Sequence, residues 1–215
     1  MTENNTLAER LTSSETGQEA SLWLPLMKLL AQGDPVEIST LAAATGRTEA
    51  DVQQALAAVP DIEYEYGRII GQGLTLRPTP HRFEVNGEQL YTWCALDTLI
   101  FPTLLEAPAR VESVSPASGE PITVTVGLDG VKSVSPESAV VSLVNPEDMT
   151  SIRSAFCNQV HYFTSAEDAQ AWLETHPGGE VLPVAEAYLL GTQMARTMIE
   201  TADDDSGSST TDRCC

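Results

Sequence analysis

Lysine is almost missing from this chain. Among 215 residues only Lys28 and Lys132 carry an ammonium group; arginine makes up the rest of 11 basic residues, against 31 acidic ones, for a net charge of −20. A surface so poor in cations does not attract a phosphate backbone or an anionic lipid face, which speaks against nucleic acid and membrane as partners. Many acids, few lysines and 42% apolar residues fit two descriptions. One is a surface adapted to high salt, where self-repulsion is screened; the other is an ordinary acidic enzyme. Composition leaves both open.

Long apolar runs are missing too, and none approaches the roughly 18 residues of a membrane span. Met1 to Arg10 is polar and acidic, with no positive stretch leading into an apolar core, so it does not read as a secretory signal. The expectation is a cytoplasmic protein in which Cys94, Cys157, Cys214 and Cys215 stay reduced. No CxxC pair occurs, which excludes a zinc ribbon or a thioredoxin-like centre. His81, His161 and His176 lack metal-ligand spacing, and His161 reads as a satisfied strand histidine. GxSxG, GxGxxG and GxxxxGK[ST] are absent, so hydrolase, dinucleotide and nucleotide readings find no support.

What is present is enough chain for one to two domains at about 150 residues each. Residues 1–80 predict a winged-helix-like helical domain. Leu22, Trp23, Leu26, Leu29 and Leu30 form a helical stripe that stops at Gly33, with Pro25 marking a kink or a start. A short helix over Ser39 to Ala44 follows, then a third opened by Thr48 and Asp51 in the style of a capping box. Ile62 to Tyr66, Gly67-Arg68, and Ile69 to Leu76 read as strand, turn, strand.

Residues 81–200 predict a mixed α/β domain with antiparallel strands, for an α+β fold overall. Asn86-Gly87 signals a hairpin-like turn, read as leading into a helix over Leu90 to Ile100 that ends or kinks near Pro102. Strands are expected around Arg110–Val114, Ile122–Val126 and Ala139–Val144, and a helix over Pro146–Ala155 leads into Phe156–Phe163. Ser165 with Asp168 caps another helix, and a last one runs from Val184 to about Thr201. Residues 201–215 carry three consecutive aspartates, a Ser/Thr run and a terminal cysteine pair without an apolar stripe, and are expected to be a disordered acidic tail.

Four constellations could carry chemistry. The winged-helix pattern points to DNA binding, but its third helix opens Thr48-Glu49-Ala50-Asp51, placing carboxylates against phosphates; a structural role fits better. Cys94 and Asp97, three apart on a helix, share one face. Among Leu90, Trp93, Leu96, Leu99, Ile100 and Phe101 a carboxyl is desolvated and held protonated, which makes it a proton donor beside a thiol. The plainer alternative is a core cysteine with Asp97 bonded to backbone. Cys157, within Phe156-Cys157-Asn158-Gln159-Val160-His161, reads in isolation as a core thiol. Cys214-Cys215 suits a soft cation, or is an incidental terminus.

Two of these stretches together resemble a known family. Tyr91-Thr-Trp-Cys-Ala-Leu-Asp-Thr-Leu-Ile-Phe-Pro is similar to the catalytic segment of the organomercurial (alkylmercury) lyases. Ser154-Ala-Phe-Cys-Asn-Gln-Val-His-Tyr-Phe is similar to that family's second cysteine motif. Tyr64 to Leu76 and Ala139-Val-Val-Ser-Leu-Val follow its pattern in the same order, from about residue 20 to 195. The resemblance overturns the core-thiol reading. It implies that Cys94 and Cys157 are the catalytic thiols and Asp97 the catalytic acid, on a winged-helix-like part joined to an α+β domain with antiparallel strands. Where some members have a further cysteine this chain has Ser115 or Pro116. The tail with Cys214-Cys215 lies outside the family pattern and resembles the vicinal cysteine tail of mercuric reductases.

The implied chemistry is consistent with these residue types. Soft mercury prefers thiolate, and its binding deprotonates the thiols. A second thiolate pushes electron density through mercury onto carbon, which an acid then protonates. The expected cofactor requirement at rest is none, with Hg(II) bound as product between Cys94 and Cys157. Trp93 and Phe163 are candidate walls for the organic group, low-molecular-weight thiols and a mercuric reductase are expected acceptors, and Cys214 and Cys215 a relay. A mercury-sensing winged-helix regulator or a scavenger using the same thiols is the alternative, and neither needs Asp97.

Overall fold

The computed structural model describes residues 19–146 and 150–207, with side chains described to residue 200. The amino-terminal part is built as its patterning predicts. Helix α1 (Ala20–Leu30) continues through Pro25 and buries Leu22, Trp23, Leu26, Met27 and Leu30, each worth about 1.5–3 kcal/mol in area removed from water. Helix α2 (Ile38–Thr45) ends on Gly46 in the left-handed conformation, which glycine adopts without steric cost. Helix α3 (Glu49–Ala57) is capped by Thr48, whose hydroxyl accepts from the Asp51 N–H at 3.2 Å.

Strands β1 (Glu63–Glu65) and β2 (Arg68–Gln72) pair as a wing, and β3 (Leu74–Thr75) follows the turn at Gly73. The wing is not a separate sheet. Leu74 pairs with Thr92, so β3 joins β5 (Glu88–Thr92) and an eight-stranded antiparallel sheet runs β1-β2-β3-β5-β4-β6-β7-β8. Strand β4 is His81–Val85, β6 Ala109–Val114, β7 Pro121–Gly127 and β8 Gly130–Ser135. The sheet is continuous across residue 80, where the composition changes.

The segment from Leu90 to Ile100 is not one helix: β5 occupies Glu88–Thr92, a turn follows, and helix α4 spans Asp97–Leu104 with Pro102 inside it. Asn86 and Gly87 both have positive φ, 54° and 86°, the pair required by a two-residue hairpin turn whose twist matches the flanking strands. That turn commits the residues after it to a strand, with Val85 opposite Glu88, Phe83 opposite Leu90 and His81 opposite Thr92. The apparent helical stripe combined a strand's buried positions with those of the helix beyond it.

A three-stranded sheet, ordered β10-β9-β11, carries β9 (Val140–Leu143), β10 (Tyr162–Phe163) and β11 (Glu180–Pro183). Between β9 and β10 the expected helix over Pro146–Ala155 is reduced to α5 (Ile152–Ala155), and residues 147–149 lie outside the described residues. A 3-10 turn, Cys157–Gln159, comes next. The Asp168 N–H donates to Ser165 Oγ at 3.1 Å before α6 (Gln170–Thr175). Strands β8 and β11 carried no usable sequence signal and were not expected. Helix α7 runs from Val184 to Gly207, past the expected end near Thr201; residues 208–215 lie outside the described residues. Helices α1 and α4 pack against α7. Gly191 permits the close approach, since a Cβ there would stand 2.9 Å from Ile100 Cγ1. No helix among the described residues is long and apolar enough to cross a membrane.

Candidate active site

The turn between β5 and α4 fixes Cys94. The Trp93 N–H donates to the Gly73 carbonyl at 2.9 Å and the Ala95 N–H to the Val160 carbonyl at 3.2 Å. The Thr92 hydroxyl donates to the Cys94 carbonyl at 2.8 Å. Cys94 and Asp97 then bond reciprocally, as a capping box does. The Cys94 N–H donates to Asp97 Oδ2 at 3.1 Å and the Asp97 N–H donates to Cys94 Sγ at 3.4 Å. The two groups therefore face each other across the start of a helix rather than along its side. Below them the Thr98 hydroxyl donates to the Ala95 carbonyl and meets Tyr162 Oη, each at 2.7 Å.

Cys157 arrives from the other sheet. Ser142 Oγ donates to the Gln159 carbonyl at 3.0 Å and accepts from the His161 N–H at 2.9 Å, holding the downstream side of the 3-10 turn. Cys94 Sγ, Cys157 Sγ and an Asp97 carboxylate oxygen all lie within 4.8 Å of one another. A separation of 63 positions in sequence is thus closed by the fold. Both cysteines are buried and neither is in a disulfide.

Asp97 and Cys157 lie in a cleft of about 660 Å³, its open mouth included, walled by Trp23, Trp93, Phe101, Phe156, Met194 and Met198. Among these apolar side chains burial pushes the Asp97 carboxyl up to about 6, against the opposing pull of its bonds to Cys94. Burial also pushes the Cys94 thiol well up, reinforced by its contact with Cys157 and by the Asp97 charge. For Cys157 the hydrogen bond with Cys94 favours the thiolate, yet burial and the Asp97 and Asp61 carboxylates outweigh it and leave that thiol raised too. Near neutral pH the resting state is therefore two thiols beside one carboxylate. That set has soft donors for a soft metal and one base able to accept a thiol proton.

Of the two proposed aromatic walls, Trp93 lines the cleft and Phe163 does not: Phe163 packs with Val140, Ala169 and Trp172 in a separate small core. Strand alternation turned it away from the cleft. Cys214 and Cys215 lie outside the described residues. Met194 and Met198, four residues apart on α7, also wall the cleft and were not expected there. Asp61, Glu63 and Arg153 also gave no sequence signal, and they clasp the segment carrying Cys157.

Fold and site define a class: an enzyme that joins a helix-turn-helix part to a mixed sheet domain and holds two thiols and an acid in an apolar cleft. The family model for alkylmercury lyase matches residues 74–196, and that for the helix-turn-helix domain of alkylmercury lyase matches residues 4–73. An alkylmercury lyase of Streptomyces lividans is 54% identical over 199 residues, covering 90% of this chain and 93% of the relative. One from Staphylococcus epidermidis is 50% identical, covering 84% and 85%, and one from Bacillus cereus is 46% identical, covering 98% and 95%. A crystal structure of the mercury-bound form of MerB2 superposes with a TM-score of 0.78 at 28% identity, covering 91% of this chain and all of that one. The chain belongs to the alkylmercury lyase family, enzymes that cleave the carbon–mercury bond.

Proposed function

We propose that Cys94 and Cys157 bind one organomercurial together and that Asp97 delivers the proton to its carbon. The observation that carries this reading is the convergence of two sulfurs and a carboxylate oxygen within 4.8 Å. The substrate R–Hg⁺ first meets one thiol, whose proton passes to the Asp97 carboxylate as the sulfur–mercury bond forms. The second thiol then adds to the same mercury and loses its proton to solvent. Electron density moves through mercury onto carbon. The proton held by Asp97 goes to carbon, the carbon–mercury bond breaks, and the products are RH and Hg(II) bridged by two thiolates. Mercury is the substrate's own metal, so this scheme calls for no resident cofactor. Positioned proton transfer of this kind supplies about 10²–10⁴-fold.

In this reading the protein works in the cytoplasm, without nucleic acid or membrane partners. The third helix supports the first exclusion, since it opens with Glu49 and Asp51. Low-molecular-weight thiols or a mercuric reductase remove the product by ligand exchange, because free mercuric ion would attack other thiols. Cys214-Cys215, two adjacent thiols suited to a soft cation, act as the relay. Incubation with phenylmercury and excess thiol tests the core reading: benzene is released, and in D2O it carries one deuterium. Stable phenylmercury on the protein without benzene would instead indicate a sensor or scavenger.

A further inference from the structure

The two cysteines are anchored differently, and the difference singles out Arg153. Cys94 is held by backbone bonds to its neighbours in sheet and turn. The irregular chain leading into Cys157 is held by side chains that reach across to the amino-terminal part. Asp61 accepts from the Ser151 hydroxyl at 2.9 Å and from the Arg153 N–H at 3.1 Å. The Arg153 guanidinium donates through Nη1 to Glu63 Oε1 at 2.5 Å. Glu63 is buried on β1 with its side chain 4% exposed, and its other oxygen accepts from the Thr75 hydroxyl. The same guanidinium sits over the Trp93 ring, 4.7 Å from its centroid. Trp93 Nε1 has no hydrogen-bond partner among the described residues, so packing and this cation hold the ring.

Arg153 thus touches the residue before Cys94, belongs to the helix that leads into Cys157, and is fixed from behind by a carboxylate of the wing. We infer that Arg153 is a positioning residue: pinned by Glu63 and stacked on Trp93, it sets the distance between the two sulfurs. This rests on the two-thiolate reading above. It also gives the helix-turn-helix part a task in place of DNA binding, namely to supply Asp61 and Glu63 as the fixed side of a clasp. The first sulfur–mercury bond needs one cysteine and is insensitive to the clasp, whereas cleavage needs both on one mercury. Misplacement by about 1 Å can cost as much as 100-fold in such a step.

Steady-state kinetics with phenylmercury and excess thiol test this on the full-length protein. The expected result for Arg153→Ala is kcat lowered about 10- to 100-fold with KM changed less than about threefold. Arg153→Lys, which keeps the charge but loses the planar fork, falls in between. Glu63→Gln lowers kcat in the same way, and Arg153→Ala with Glu63→Gln is no worse than the more damaged single variant, as one coupled unit requires. Arg153→Lys and Glu63→Gln carry the test if Arg153→Ala does not fold. Unchanged kcat, a loss confined to KM, or independent additive losses would overturn the inference. Cys157→Ala separates it from its premise: activity there defeats the two-thiolate reading, whereas an inactive Cys157→Ala beside fully active clasp variants defeats the positioning role alone.

Discussion

The Cys94 segment and the Cys157 segment meet at one point but are built by opposite means. The first is a strand, a turn and a helix, with most of its ties made by the backbone or by residues two or three apart. The second is a short helix and a 3-10 turn between two strands, tied upstream by carboxylates from another part of the chain. Main-chain bonds, including those from Trp93 to Gly73 and from Ala95 to Val160, dominate around one sulfur, and long-range side-chain bonds hold the chain leading into the other. The two thiols are thus held by different kinds of bond, one mainly through the main chain and the other through the side chains of Asp61, Glu63 and Arg153.

The largest expected effects come from removing either sulfur. Cys94→Ser and Cys157→Ser both lose turnover of phenylmercury, measured as benzene release. They differ in stability: serine at 94 still accepts the Asp97 N–H and keeps the helix start, so Cys94→Ser melts near the parent temperature. A normal rate in either variant would break the symmetry of the two-thiolate scheme.

Asp97→Asn comes next. It keeps mercury uptake and lowers cleavage by about 10²–10⁴-fold, followed by single-turnover benzene release. The parent should also gain kcat/KM as pH rises through about 6, where the Asp97 carboxyl ionises and becomes able to take a thiol proton. Stability moves the other way. A carboxyl whose folded pKa is raised from 3.8 to about 6 favours the folded state below the lower value, and that advantage is lost as pH rises through the upper one. The melting temperature of Asp97→Asn relative to the parent therefore climbs between about pH 4 and pH 6 and then levels off. A flat difference would mean that Asp97 is not desolvated.

The smallest effect is expected from the tail. Deleting residues 208–215, beyond the end of α7, leaves cleavage intact and slows mercury release only when external thiol is limiting, as seen in stopped-flow transfer to a thiol acceptor. An unchanged release rate would remove the relay and leave the lyase chemistry standing.

The same contrast explains what could be read from the sequence. Thr48 with Asp51, Gly46, and the stripe through Leu22, Leu26 and Leu30 are local signals, and the helices they predict are present. Asn86-Gly87 announced a hairpin, but its consequence for Leu90 was overridden by a stripe that crosses an element boundary. Cys94 and Asp97 were paired correctly by spacing and wrongly by geometry. Cys157 became legible only through resemblance, because nothing local links it to Cys94. Asp61, Glu63 and Arg153 were not legible, since a clasp between residues about 90 apart leaves no period or motif. Met194 and Met198 look like core from spacing alone, and only the packing of α7 turns them into a cleft wall.

The claim underlying all of this is that Cys94 and Cys157 serve one mercury. Replacing both tail cysteines (Cys214→Ser, Cys215→Ser) removes competing sulfur. The chain is then given one equivalent of mercuric ion and challenged with an alkylating reagent, and the modified cysteines are located by mass spectrometry. One equivalent should protect Cys94 and Cys157 together. Protection of one cysteine by the first equivalent, with a second required for the other, would contradict the account.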